Sequence, residues 1–165
     1  YLRRFGPVTD TDLRWWFGET ATLVRNALAD IGAVEVALDG DTTGWVVAGD
    51  VDDTPEPEPW LRLLPGLDVT PMGWKERDWY LDPGHVERLF DRFGNVGPTI
   101  WADGAIVGGW VQRPDGTIVH ELLAPISDDH HDLLAEGIAA LERVLDGVQV
   151  KPRFPSKNQK ELLAD

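Results

Sequence analysis

Prolines alternate with acids in DVDDTPEPEP, residues 50–59, and this stretch limits what the rest of the chain can become. Proline has no N–H and a fixed φ, so neither a helix interior nor a central strand can run through it. The like charges of its carboxylates keep it solvated and extended. The chain therefore divides into residues 1–52, an acidic linker at 53–59, and residues 60–165. With 165 residues in all, each part can build only a modest core.

Upstream of the linker, Thr9-Asp10-Thr11-Asp12 opens a helix. Thr9 caps it, Asp12 stands three residues on, and the acids suit the positive end of the helix dipole. Leu13, Trp16 and Phe17 are expected to face inward, and Gly18 stops the helix. Thr20 or Glu19 opens a second helix, with Leu23, Val24, Ala27, Leu28 and Ile31 as an apolar stripe and Gly32 at its end. Residues 33–38 then alternate apolar and polar. A polar turn over 39–44 leads to Trp45-Val46-Val47-Ala48, which predicts a β-hairpin. YLRRFG reads as the last turns of a helix that begins upstream, so a longer parent protein is expected. Two short helices, a tight turn and a hairpin give the order of a winged helix-turn-helix.

Downstream, Trp60 starts a strand that breaks at Pro65-Gly66. Asp82-Pro83 opens a helix expected to reach about Phe93, with Val86, Leu89, Phe90 and Phe93 inward. Strands over 98–102, 105–112 and 117–123 turn at Asp103-Gly104 and Pro114-Asp115-Gly116, a three-stranded meander. Ser127 caps a long helix with Leu133, Leu134, Ile138, Leu141, Val144 and Leu145 inward, ended by Gly147. Val148–Phe154 reads as a last strand before a tail that includes Lys157 and Lys160. The fold class is α+β: a winged helix-turn-helix followed by a mixed α+β domain, with a further, degenerate winged helix as one reading of the second part.

The net charge of −14 bears on partners. An acidic chain repels nucleic acid at long range, so a DNA-facing surface must be a local basic patch. Four sets of residues qualify. Arg25 and Asn26, with Thr22, lie on the second helix, on a face that either reads base edges or is merely solvated. Lys75 and Arg77 sit among Met72, Trp74, Trp79 and Tyr80, either as phosphate contacts or as a surface ion-pair cluster with Glu76 and Asp78. Gln112 and Arg113 stand at the mouth of a hairpin that could enter a groove. Lys151 and Arg153, with Lys157 and Lys160, form the basic tail.

Asp128-Asp129-His130-His131-Asp132 looks like a ligand run, but neighbouring helical positions point about 100° apart. It reads as a capped helix start, and no metal or cofactor is expected. Absence of Cys excludes disulfides and thiolate chemistry. No apolar run reaches the roughly 18 residues of a membrane span, and no signal peptide opens the chain. A cytoplasmic location without a membrane partner is expected.

Leu63-Leu64-Pro65, Asp68, Gly73, Lys75 and Arg77 carry a family likeness, joined by Gly94-Asn95, Pro98, Asp103-Gly104, Val107-Gly108 and Trp110. With YLRRFGPVTDTDLRWW upstream, the chain resembles the winged-helix DNA-binding family of bacterial alkylpurine and crosslink DNA glycosylases. That resemblance implies tandem winged helices around a DNA channel and hydrolysis of N-glycosidic bonds at alkylated bases. It places a catalytic Gln-x-Gln or Gln-x-Arg element in an N-terminal winged helix, and this sequence contains neither. The implied function is the DNA-binding part of a glycosylase-like repair or self-resistance protein, partnered by duplex DNA and by an upstream part of the same protein. A non-catalytic scaffold or protein-interaction module is the alternative, as is a winged-helix transcription regulator.

Overall fold

The structure, a computed structural model, describes residues 1–52, 54–152 and 155–164. They form two compact units: Tyr1–Glu56 with Gly73–Arg77, and Pro57–Met72 with Asp78–Asp165. The linker holds one boundary, but the short segment Gly73–Arg77 groups with the first unit across it.

The first unit contains α1 (Leu2–Phe5), α2 (Asp10–Phe17), α3 (Ala21–Asp30), β1 (Val34–Leu38) and β2 (Thr42–Val46). Thr9 and Asp12 form the capping box of α2, and Gly18 closes it in the left-handed region at φ 67°. Thr20 caps α3 by accepting from the Leu23 N–H. β1 and β2 pair antiparallel, and Val8 exchanges two backbone hydrogen bonds with Trp45, adding a short rung. The core is Leu2, Phe5, Val8, Leu13, Val24, Leu28, Val46 and Trp74.

Three expectations for this unit change. Trp16 and Phe17 are exposed rather than inward, as are Leu23, Ala27 and Ile31. Only the Val24/Leu28 line of α3 meets the core; the other apolar line walls an open groove of about 1080 Å³ with Phe17 and Val47. The hairpin turn is also tighter than 39–44, because Gly40 and Asp41 take positive φ and β2 starts at Thr42. Thr43 Oγ1 donates to Glu35 Oε1 across the pair at 2.8 Å.

The second unit contains β3 (Leu61–Leu64), α4 (Val86–Leu89), β4 (Thr99–Ala102), β5 (Ala105–Gln112), β6 (Ile118–Leu122), α5 (Asp128–Leu145) and α6 (Lys157–Ala164). The strands make an antiparallel sheet in the order β3-β4-β5-β6, so the expected meander gains a fourth strand. Successive residues of β5 serve opposite faces. Trp110 packs into the α5-side core with Ile100, Ile118 and Leu134, whereas a side chain at Gly109 would strike Asn158 of α6 and Leu89 of α4. Gly109 therefore lets α6 lie close on the strand.

The helix expected from Asp82 to Phe93 is cut short. A 3₁₀ turn at Pro83–His85 and the single turn of α4 give way at Phe90, which is extended and bridges Val96. Asp91 is the cause: its carboxylate accepts from the Phe93 and Asn95 N–H groups and offers the backbone a local alternative to helix. Phe93 is left 76% exposed. In α5, Ser127 caps as expected, but Val144 points outward.

Residues 148–152 form no strand, because the Gln112 side chain takes the Val148 C=O and the Val150 N–H that a ladder would need. Arg153 and Phe154 lie outside the described residues. Of the basic tail, Lys157 and Lys160 lie on the helix α6, which the reciprocal Ser156–Gln159 cap holds, with Asn158 and Gln159 buried. Among the described residues no helix is long and apolar enough to cross a membrane.

Candidate nucleic-acid interface

Asp12 is the hub of the first unit. Its carboxylate is buried and accepts four hydrogen bonds: Oδ2 from the Thr9 N–H (3.1 Å) and hydroxyl (3.0 Å), and Oδ1 from the Lys75 (2.7 Å) and Glu76 (3.0 Å) N–H groups. One carboxylate thus both caps α2 and fixes the backbone that carries Lys75 and Arg77. Further bonds hold the same segment. The Trp74 indole N–H donates to Phe5 C=O at 3.0 Å, the Tyr1 hydroxyl donates to Gly73 C=O, and the Thr9 hydroxyl reaches Glu76 Oε2 at 2.5 Å. A side chain at Gly73 would enter the Phe5 ring. Lys75 is exposed and Arg77 half-buried, so the segment presents cations from a fixed backbone.

Arg25 and Asn26 stand on the exposed side of α3. Arg25 Nε lies 3.6 Å from Asp10 Oδ2, and the other oxygen of Asp10 accepts from the Trp45 indole N–H at 2.8 Å. These groups, with Thr9, Glu35 and Glu76, line a depression of about 910 Å³. The structure thus brings Arg25 to the same hollow as the segment bearing Lys75. An exposed ion pair such as Arg25–Asp10 is worth little.

In the second unit the candidates separate by environment. Gln112 is buried, and its amide donates to Val148 C=O at 3.0 Å while its oxygen accepts from the Val150 N–H at 2.9 Å. It holds the 148–150 segment from the end of β5, where it pairs with Ile118 and its amide also reaches the Gly116 C=O of the turn at 3.5 Å. Arg113 is half-buried and reaches Leu162 C=O at 3.5 Å, near the end of α6. Lys151 is exposed just beyond the segment that Gln112 clamps. The hairpin tip is stiffened by Asp115, which accepts from the Thr117 N–H and hydroxyl; those bonds, the hydroxyl's first, hold its carboxyl below the usual range.

The acidic histidine run opens α5. Ser127 Oγ lies 2.7 Å from His130 Nδ1, and His130 Nε2 lies 2.9 Å from Asp103 Oδ2 at the β4–β5 turn. Burial, then the neighbouring His131, pushes the His120 imidazole below its ordinary value. Among the described residues no three His, Cys, Asp or Glu side chains gather as metal ligands.

Sequence reasoning missed Asp12 as a hub. Its position three residues after Thr9 signalled the cap, but nothing local signals bonds to residues 75 and 76.

No curated protein sequence matches the chain significantly. The fold is similar to the Streptomyces sahachiroi DNA glycosylase AlkZ, at a TM-score of 0.75 and 23% identity. The match covers 93% of this chain and 43% of that one, so the chain spans less than half of AlkZ. A family model described as DNA glycosylase AlkZ-like matches residues 1–146, most of the chain, and the protein belongs to that family.

Proposed function

We propose that this chain is the DNA-gripping part of a glycosylase-like repair or self-resistance protein that acts on alkylated or crosslinked bases, and that its first unit is a winged helix. The observation that carries this reading is membership of the AlkZ-like glycosylase family over residues 1–146. The Asp12 hub supports it: a phosphate contact gains most when its backbone is already fixed, and Asp12 fixes that of Lys75. Arg25 and Asn26 on α3, with Arg113 and Lys151 in the second unit, are further contacts in this reading. The chain contains no Gln-x-Gln or Gln-x-Arg, so its residues grip and orient DNA, and activation of water is assigned to none of them.

The test is titration of a dye-labelled DNA duplex by fluorescence anisotropy at about 50 and 200 mM salt. Affinity is expected to fall steeply with salt, since each neutralised phosphate releases counterions. The double variant Lys75→Ala/Arg77→Ala is expected to reduce the slope of log K against log salt by about 1.8, or about 0.9 per lost contact. An unchanged slope would remove these two residues from the interface.

The apolar groove walled by Phe17, Leu23 and Ile31 favours a second reading, a protein-interaction scaffold. Absence of duplex binding at the lower salt would carry that reading instead.

A further inference from the structure

Two exposed apolar side chains of the second unit stand on loops that hydrogen bonds hold still. Phe93 is 76% exposed at the tip of a loop closed by the Phe90–Val96 bridge and by the Asp91 N–H to Asn95 C=O bond of 2.9 Å. Inside the loop, Asp91 Oδ1 accepts from the Phe93 N–H (2.8 Å) and the Asn95 N–H (2.9 Å), while Oδ2 accepts from the Asn95 side-chain amide (2.8 Å). Those bonds, the side-chain amide's first, hold the Asp91 carboxyl below its usual range, so the clamp stays charged at neutral pH.

Leu67 is 61% exposed on the adjoining loop, whose Leu67 N–H donates to Val96 C=O at 3.0 Å. Its φ of 64° lies in the left-handed region, which a non-glycine residue occupies only under strain. Neither side chain serves the core, and Leu67 is presented at a conformational cost. Strain of this kind concentrates at ligand clamps.

The charge beside them selects the partner. The Arg92 guanidinium lies 4.7 Å from the Phe93 ring centroid, over its face. Among the described residues Arg92 has no carboxylate partner. A second copy of this chain would bring the same cation and a further −14 of charge, which opposes self-association. An anionic partner with flat apolar faces fits better, and duplex DNA offers phosphates beside stacked bases.

We propose that Phe93, with Leu67 exposed on the adjoining loop, is a wedge that enters a base step of duplex DNA while Arg92 takes the flanking phosphate. The inference rests on the DNA-binding reading above. A preset loop loses little entropy on insertion, and the apolar ring replaces part of the stacking it disrupts.

The experiment uses the whole chain and a duplex of about 20 base pairs carrying 2-aminopurine, whose emission rises when it is unstacked. The wild-type chain is expected to bind and to raise that emission. Phe93→Ala is expected to weaken binding about tenfold, the scale of one base–aromatic stack, and to abolish the rise. Phe93→Trp is expected to retain both. Arg92→Ala should lower the salt slope by about 0.9 and leave the emission rise in place. Equal thermal midpoints will show that these exposed positions leave the fold intact. If the wild type binds but Phe93→Ala binds equally well, or no emission rise occurs, the wedge is wrong and the DNA-binding reading stands. If no form binds duplex DNA at about 50 mM salt, the DNA-binding reading itself fails and the wedge falls with it.

Discussion

Asp12→Ala is expected to destabilise the first unit by about 3–5 kcal/mol, the scale of breaking a buried charged network. Alanine removes the side-chain half of the α2 capping box, which alone is worth about 1 kcal/mol. It also strands the Lys75 and Glu76 N–H groups, which now share one buried oxygen. Each hydrogen bond to an ionised group contributes about 1.5–3 kcal/mol, though bonds to one carboxylate do not add in full. Asp12→Asn should cost less. Its remaining oxygen can serve Lys75 and Glu76, while its amide meets the Thr9 N–H donor to donor. The measurement is thermal unfolding followed by near-ultraviolet circular dichroism, to which Trp45 and Trp74 of the first unit contribute alongside Trp101 and Trp110 of the second. For a unit of this size the expected drop in Tm is on the order of 25 °C for alanine. A drop of less than about 5 °C would mean that water replaces the carboxylate at residues 75 and 76. The same variant should weaken DNA binding as Lys75→Ala/Arg77→Ala does, because the backbone bearing both cations loses its anchor.

Trp110→Ala is expected to cost the second unit about 3–5 kcal/mol, the range for truncating a buried tryptophan. The indole packs with Ile100, Ile118 and Leu134 between the sheet and α5, and its N–H donates to Leu64 C=O at 3.0 Å. Truncation therefore opens a cavity and leaves a half-buried carbonyl without its donor. Trp110→Phe keeps much of the ring volume and loses the hydrogen bond, so its cost should be nearer 1–2 kcal/mol. Urea unfolding separates the two effects. With a slope of about 1–3 kcal/mol/M, the alanine variant should lower the midpoint by roughly 1–5 M. Equal shifts for the two variants would show that the hydrogen bond, and not the packed volume, dominates.

What the sequence discloses here is what local chemistry decides. Thr9, Thr20 and Ser127 mark helix starts because a cap needs only a hydroxyl and the next three residues. Asp103-Gly104 marks a turn because both residues must reach positive φ. The failures lie where a side chain competes with a regular element. The Asp91 carboxylate ends α4 early, and the Gln112 amide replaces a strand ladder at 148–150. Gln112 was partly legible, since it shares the inward face of β5 with Trp110 two residues before it. The helix α6 was hidden because its buried face carries Asn158 and Gln159 instead of large apolar residues. For the candidate interface, residue types gave the cations, but only the fold shows that Asp12 holds the segment behind Lys75 and that Arg25 shares its hollow.

The grouping of Gly73–Arg77 with the first unit has a consequence for protein engineering. A gene truncated within the acidic linker would encode the first unit without the peptide that saturates Asp12 and receives the Tyr1 hydroxyl. A protease nick in the same linker would leave that unit as two strands of one complemented fold, joined by those hydrogen bonds and by Trp74 in the core. The most conspicuous hinge in the sequence is therefore not a seam at which the protein can be shuffled: any cassette exchanged there must carry residues 73–77 with it.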